Sequence, residues 1–134
     1  VKNNENAYAV QVYDTYGVTL NNVTATSSQK GAILINGSTV KLTGTTTVDG
    51  AWGGIEVSKG VGVKGMPELT VEGTLVNNSD GVVLWIDGYK QGTNADKEAD
   101  IITADAVKGM DDYQTRVVDH KVNQELHHQL HFFK

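Results

Sequence analysis

The sequence predicts an all-β fold in which successive windings of the chain stack as a solenoid. The first observation is a recurring phrase in which a small residue is followed by alternating apolar positions. It reads Ala9-Val10-Gln11-Val12, Gly31-Ala32-Ile33-Leu34-Ile35, Gly53-Gly54-Ile55-Glu56-Val57 and Gly81-Val82-Val83-Leu84-Trp85. Val10 to Ile33 is 23 residues, Ile33 to Ile55 is 22, and Ile55 to Val83 is 28. The second observation is a companion series: Val18-Thr19-Leu20, Val40-Lys41-Leu42, Leu69-Thr70-Val71 and Ile101-Ile102-Thr103. Both series lengthen after Val57, so the extra residues are insertions within windings. The third is that two-residue alternation outperforms a 3.6-residue period throughout residues 7–107.

Each element follows in order. Residues 1–6 are polar and read as a frayed start. The first winding holds a strand at Tyr8–Tyr13, a turn at Asp14–Gly17, a strand at Val18–Leu20 and a third at Val23–Thr26. The second repeats this at Ala32–Ile35, Val40–Leu42 and Thr45–Val48. The third carries an inserted loop at Lys59–Pro67, with the only proline. The fourth carries a polar insertion at Gly88–Lys97. Asn36-Gly37 matches a hairpin turn. The repeat in one chain direction instead demands parallel neighbours. Stacking places Val10, Ile33, Ile55 and Val83 in one inward row, and Val12, Ile35, Val57 and Trp85 in the next. Gly17, Gly37, Gly44 and Gly73 fall where the chain must bend sharply or take positive φ. Residues 108–134 lose the pattern, and Leu126, Leu130 and Phe133 are expected to cap the open end.

Composition narrows the function. A chain of 134 residues suits one domain. There is no cysteine, which removes disulfides and thiolate metal sites. Net charge is −5 and Arg116 is the only arginine, which argues against a nucleic-acid partner. No apolar run reaches the roughly 20 residues of a membrane-spanning helix, so no membrane insertion is expected. The chain begins within a winding and without methionine, and reads as a piece of a longer protein.

The phrases Gly17-Val18-Thr19-Leu20-Asn21-Asn22-Val23-Thr24 and Trp52-Gly53-Gly54-Ile55-Glu56-Val57 resemble the winding signatures of the right-handed parallel β-helix, or pectate-lyase-like, superfamily. The resemblance spans residues 7–107 and is nearest to non-catalytic repeats of large secreted and cell-wall proteins of bacteria. It implies a right-handed parallel β-helix of about four to five windings with a C-terminal cap at 108–134. The scaffold hosts lyases, hydrolases, adhesins and passive stalks, so activity must be argued from a site.

Five candidate chemistries are visible in the residues. Related lyases use an acidic calcium cluster and a basic residue. Here Asp14, Asp49, Asp80 and Asp87 lie mostly at turns beside glycine, where Asx hydrogen bonds explain them. Related galacturonases carry three aspartates with Gly-His-Gly. Asp111-Asp112 imitates one fragment, and no Gly-His-Gly exists. No cofactor is expected, with calcium as the lyase alternative. His127, His128 and His131 have helical spacing for zinc, set against the capping role of their neighbours. An ice-binding threonine array needs unbroken ladders, and Thr19, Lys41, Thr70, Ile102 is broken. Trp52, Trp85, Tyr8, Tyr13, Tyr16, Tyr89 and Tyr113 offer rings for a sugar platform, with Trp52 at a corner and Trp85 in the core. Sequons at Asn22, Asn36 and Asn77 are expected from composition.

The expected role is a non-catalytic structural or adhesive segment of an extracellular or cell-surface protein. Its inserted loops would meet a glycan or protein partner, because insertions mark the working face of repeat proteins. Trp52, Lys64, Tyr89, Lys90 and Asn94 are the expected contacts. The alternatives are end-to-end self-association into a fibre and a fragment of a polysaccharide lyase or hydrolase.

Overall fold

Short β-branched strands separated by Gly, Asn and Asp bends generate the architecture. The computed structural model describes residues 1–60, 63–87, 102–110 and 117–119. The strands are β1 (Lys2–Asn3), β2 (Val10–Tyr13), β3 (Val18–Asn21), β4 (Thr24–Ser27), β5 (Ile33–Asn36), β6 (Thr39–Thr43) and β7 (Thr45–Gly50). They continue with β8 (Gly53–Ser58), β9 (Glu68–Val71), β10 (Thr74–Asn77), β11 (Val82–Asp87), β12 (Val107–Lys108) and β13 (Val117–Asp119). A one-turn 3-10 helix at Ala104–Ala106 precedes β12.

The strands form three sheets in which every pairing among the described residues is parallel. The first sheet runs β1-β4-β7-β10-β13, the second β2-β5-β8-β11 and the third β3-β6-β9-β12. Each strand therefore pairs with the one three places on, and the chain visits the three sheets in rotation. This is an all-β arrangement consistent with a parallel β-helix.

Register shows why the sequence repeats. In the second sheet Val10 faces Ile33, which faces Ile55, which faces Leu84. Val12, Ile35, Val57 and Ile86 form the neighbouring row. In the third sheet Val18, Val40, Leu69 and Val107 align, beside Leu20, Leu42 and Val71. Ile33, Ile35, Ile55, Val57 and Leu69 are completely buried. Like shapes lie directly over one another along each sheet, so neighbouring strands bury matching side chains.

Two expectations are corrected in the fourth winding. Val83 does not continue the Val10 row; Leu84 does, one residue later. The shift turns the adjacent ring over, because side-chain direction alternates at every residue. Trp85 lies opposite Glu56 in the outward row Gln11, Leu34, Glu56, Trp85, not in the core row. The fourth member of the third sheet is Val107, not Ile101, so the outward row reads Thr19, Lys41, Thr70, Lys108. β13 adds a fifth strand to the first sheet at residues beyond the repeat pattern.

The bends have a common backbone device. Asp14 and Gly37 turn the chain from the second sheet to the third with φ of 48° and 58°. Asn22 and Gly44 turn it from the third to the first with φ of 55° and 65°. Glycine, and less often Asn or Asp, tolerates this left-handed region. Asn22 also repays its strain by accepting the Thr45 N–H at 2.9 Å from the next winding.

Buried polar groups tie windings together. Ser38 is fully buried; its Oγ accepts from Thr15 N at 2.9 Å and lies 3.1 Å and 3.0 Å from the carbonyls of Val12 and Asn36. Asn77 is fully buried, donating to Asp119 Oδ2 at 3.1 Å and accepting from Ser79 N at 3.0 Å. Thr46 differs: it is 1% exposed, and its Oγ1 has no hydrogen-bond partner among the described residues.

Candidate functional site: an aromatic ledge

Three rings from three windings gather on the outer side of the second sheet. Tyr8 precedes β2, Trp52 sits in the bend between β7 and β8, and Trp85 lies on β11. The Tyr8 and Trp52 centroids are 5.9 Å apart with planes at 78°, an edge-to-face contact. Trp52 and Trp85 are 4.3 Å apart with planes tilted by 50°. Contacts of this kind add about 0.5–1.5 kcal/mol beyond area burial. Trp52 keeps 40% of its surface exposed, and Tyr8 and Trp85 are half-buried.

Glycine makes the floor. A Cβ on Gly31 would stand 3.1 Å from Tyr8 Cε2 and 3.5 Å from Cη2 of both tryptophans. A Cβ on Gly53 would stand 2.5 Å from Trp85 Cζ3. The rings therefore lie against bare backbone. Both glycines belong to the recurring phrase, and Gly53 starts β8.

Polar groups border the rings. Tyr8 donates its hydroxyl to Glu56 Oε1 at 2.7 Å, and Lys30 Nζ stands 5.5 Å from the Tyr8 ring centroid, in cation–π range. Glu56 and Leu34 point outward in the row yet are only 9% and 8% exposed. The ledge thus combines apolar ring surface with a carboxylate, a phenol and an ammonium group. Aromatic surface with a few fixed polar groups is the usual make-up of a recognition site.

The expected contacts separate. Trp52 belongs to the ledge. Lys64 is exposed in the loop beyond the far end of the six-residue β8, a strand about 20 Å long at roughly 3.3 Å per residue. Its neighbours Val63 and Gly65 pack near Gly37 and Tyr16. The structure does not bring Trp52 and Lys64 together. Tyr89, Lys90, Asn94, His127, His128 and His131 lie outside the described residues. Tyr8 and Trp85 join the site through register, which the sequence pattern misplaced by one residue.

A second depression lies on the third sheet. It is a cavity of about 220 Å³ lined by Gly17, Thr19, Thr39, Lys41, Glu68 and Thr70 among others. Its charges are committed: Lys41 pairs with Glu72 at 3.7 Å and Lys108 with Glu68 at 3.2 Å. A ligand there would have to compete with both ion pairs, so the ledge is the stronger candidate. Among the described residues no three His, Asp or Glu side chains gather to hold a metal, and no helix is long and apolar enough to cross a membrane.

No family model, curated protein or solved structure matches this chain.

Proposed function

We propose that the chain is a non-catalytic segment of a bacterial extracellular or cell-surface protein, wound as a right-handed parallel β-helix, and that its aromatic ledge binds a glycan. The handedness follows the strong general preference of parallel strand crossovers. One observation carries the binding reading. Tyr8, Trp52 and Trp85 come from separate windings and meet on the outer surface over a glycine floor. Ring faces match the apolar faces of pyranose rings, and the Lys30 ammonium beside Tyr8 is the polar group at the ledge able to donate to sugar hydroxyls.

The test is a glycan-array screen followed by titration of tryptophan fluorescence. Binding is expected to perturb the emission of the Trp52–Trp85 pair, and Trp52→Ala is expected to weaken it about tenfold. A ligand that binds equally well to Trp52→Ala and Trp85→Ala would place recognition elsewhere. If the whole panel fails while a protein partner binds through Trp52, the adhesive role stands and the glycan is wrong.

A further inference from the structure

One lysine of the ledge is fixed by its backbone and unpaired at its tip. Lys30 N donates to Ser27 Oγ at 3.0 Å, and Lys30 O accepts from Ala51 N at 2.8 Å. The first bond closes the bend after β4, and the second ties Lys30 to the residue before Trp52. Gly31, part of the floor of the ledge, follows directly. Lys30 Nζ is 5.5 Å from the Tyr8 centroid and that centroid is 5.9 Å from the Trp52 centroid, so the ammonium stands no more than 11.4 Å from the exposed indole. A disaccharide stacked on Trp52 covers that distance.

The charges around the rings are not equivalent. Among the described residues the Lys30 ammonium makes no ion pair and no hydrogen bond, and its contact is with the Tyr8 ring. Lys41 and Lys108, by contrast, are each paired with a glutamate. Glu56 is 9% exposed and accepts the Tyr8 hydroxyl at 2.7 Å, so the carboxylate of the ledge is covered and engaged. An ammonium carries three donors and no acceptor. Its hydrogen bonds to an ionised oxygen are roughly twice as strong as neutral ones. The chain's net charge of −5 acts at longer range and is screened beyond about 8–10 Å at ordinary salt, whereas the ammonium acts at contact.

We infer that Lys30 makes the ledge selective for anionic sugars: pyranose units carrying a carboxylate or a sulfate, stacked on Trp52 with the anion on the Lys30 ammonium. The inference rests on the glycan reading of the ledge and deepens it by naming the substrate class. A neutral sugar would place a hydroxyl where the anion belongs and forgo the charge-assisted bond. An amino sugar would set its own ammonium against Lys30 and meet a carboxylate already engaged by Tyr8. The contact runs directly from ammonium to anion and needs no bridging metal.

Matched oligosaccharides test it. Oligomers of β-linked glucose, mannose and galactose are each presented neutral, oxidised to the uronate and sulfated, with EDTA present, and binding is read by tryptophan fluorescence. The uronate and sulfate arms report which anion is preferred. Anionic members are expected to bind about fivefold tighter than their neutral counterparts. Lys30→Gln is expected to remove that preference while leaving neutral members within about twofold, and Lys30→Arg to keep it. A packing role for Lys30 would instead weaken neutral and anionic members alike. Circular dichroism checks that each variant is folded, and the wild-type comparison needs no variant. Neutral members binding as tightly as anionic ones overturn the inference and leave the glycan reading standing. So does a preference that persists in Lys30→Gln. Binding by no member of any series overturns both.

Discussion

Thr46 offers a substitution whose expected effect runs against the usual direction. It points inward from β7, opposite Leu75, which in turn faces Val117. Leu75 and Val117 are 0% and 5% exposed, so the hydroxyl of Thr46 sits in an otherwise apolar row. Its oxygen has no partner among the described residues. An unsatisfied buried polar group costs about 1–3 kcal/mol. Thr46→Val removes that group, keeps the β-branched shape and adds a methyl worth up to about 0.8 kcal/mol. A net gain of about 1–3 kcal/mol is expected. At about 2.1 cal/mol/K of unfolding entropy per residue, 134 residues give about 0.28 kcal/mol/K. Tm should therefore rise by about 4–10 °C. Thermal unfolding followed by circular dichroism measures it, with urea unfolding at unchanged m-value as the second readout. Thr47→Val, at the half-buried outward position next door, is the control and should stay within about 0.5 kcal/mol. A Thr46→Val protein no more stable than wild type would refute the reasoning, because it would mean the hydroxyl is satisfied.

Other predictions follow from the rows and bends. Ile55→Ala empties a fully buried position between Ile33 and Leu84 and should cost about 2–5 kcal/mol in urea unfolding, against almost nothing for exposed Gln11→Ala. Gly37→Ala should lose at least about 1–2 kcal/mol from its left-handed backbone alone, and its Cβ would also overlap Val63 Cγ1; an unchanged Tm would remove the conformational argument. Tyr16 donates to Asp14 Oδ1 at 2.9 Å, and this hydrogen bond, then desolvation and charge, holds the phenol above its ordinary pKa against an opposing contact with the Gly65 backbone. Because the folded value is raised, any stabilisation is complete below the ordinary tyrosine pKa and is lost as pH climbs through the folded one. An alkaline absorbance titration should show a late-titrating tyrosine that Asp14→Asn brings to lower pH.

The parts of the fold visible in sequence are those where alternation is clean. Val10-Gln11-Val12 and Ile55-Glu56-Val57 each hold one polar residue between two apolar ones, which fixes which side faces in. Val18, Val40 and Leu69 align for the same reason. Val82-Val83-Leu84-Trp85-Ile86 is apolar throughout, so its pattern carries no parity. Its glycine, Gly81, stands 28 residues after Gly53, whereas the ladder pairs Gly53 with Val82 and Ile55 with Leu84, an offset of 29. That one residue decides whether Trp85 belongs to the core or to the ledge. Ile101 has the apolar character the series asks for, yet the strand that continues the third sheet is Val107–Lys108, after a 3-10 turn that no periodicity announces. Trp52 was legible as a corner residue. Which of the other rings would meet it was not, because Tyr8 and Trp85 are 44 and 33 positions away and reach it only through stacking.

The direction of the backbone hydrogen bonds has a mechanical consequence. Strands lie across the stack, so the bonds joining successive circuits run along its length. Tension applied end to end pulls on these bonds head-on and loads one circuit at a time, beginning at a terminus. Detaching a circuit of about 22 residues would release roughly 75 Å of slack at about 3.4 Å per residue. Under load such a chain would yield by peeling in increments, shedding force while the circuits further in keep their shape.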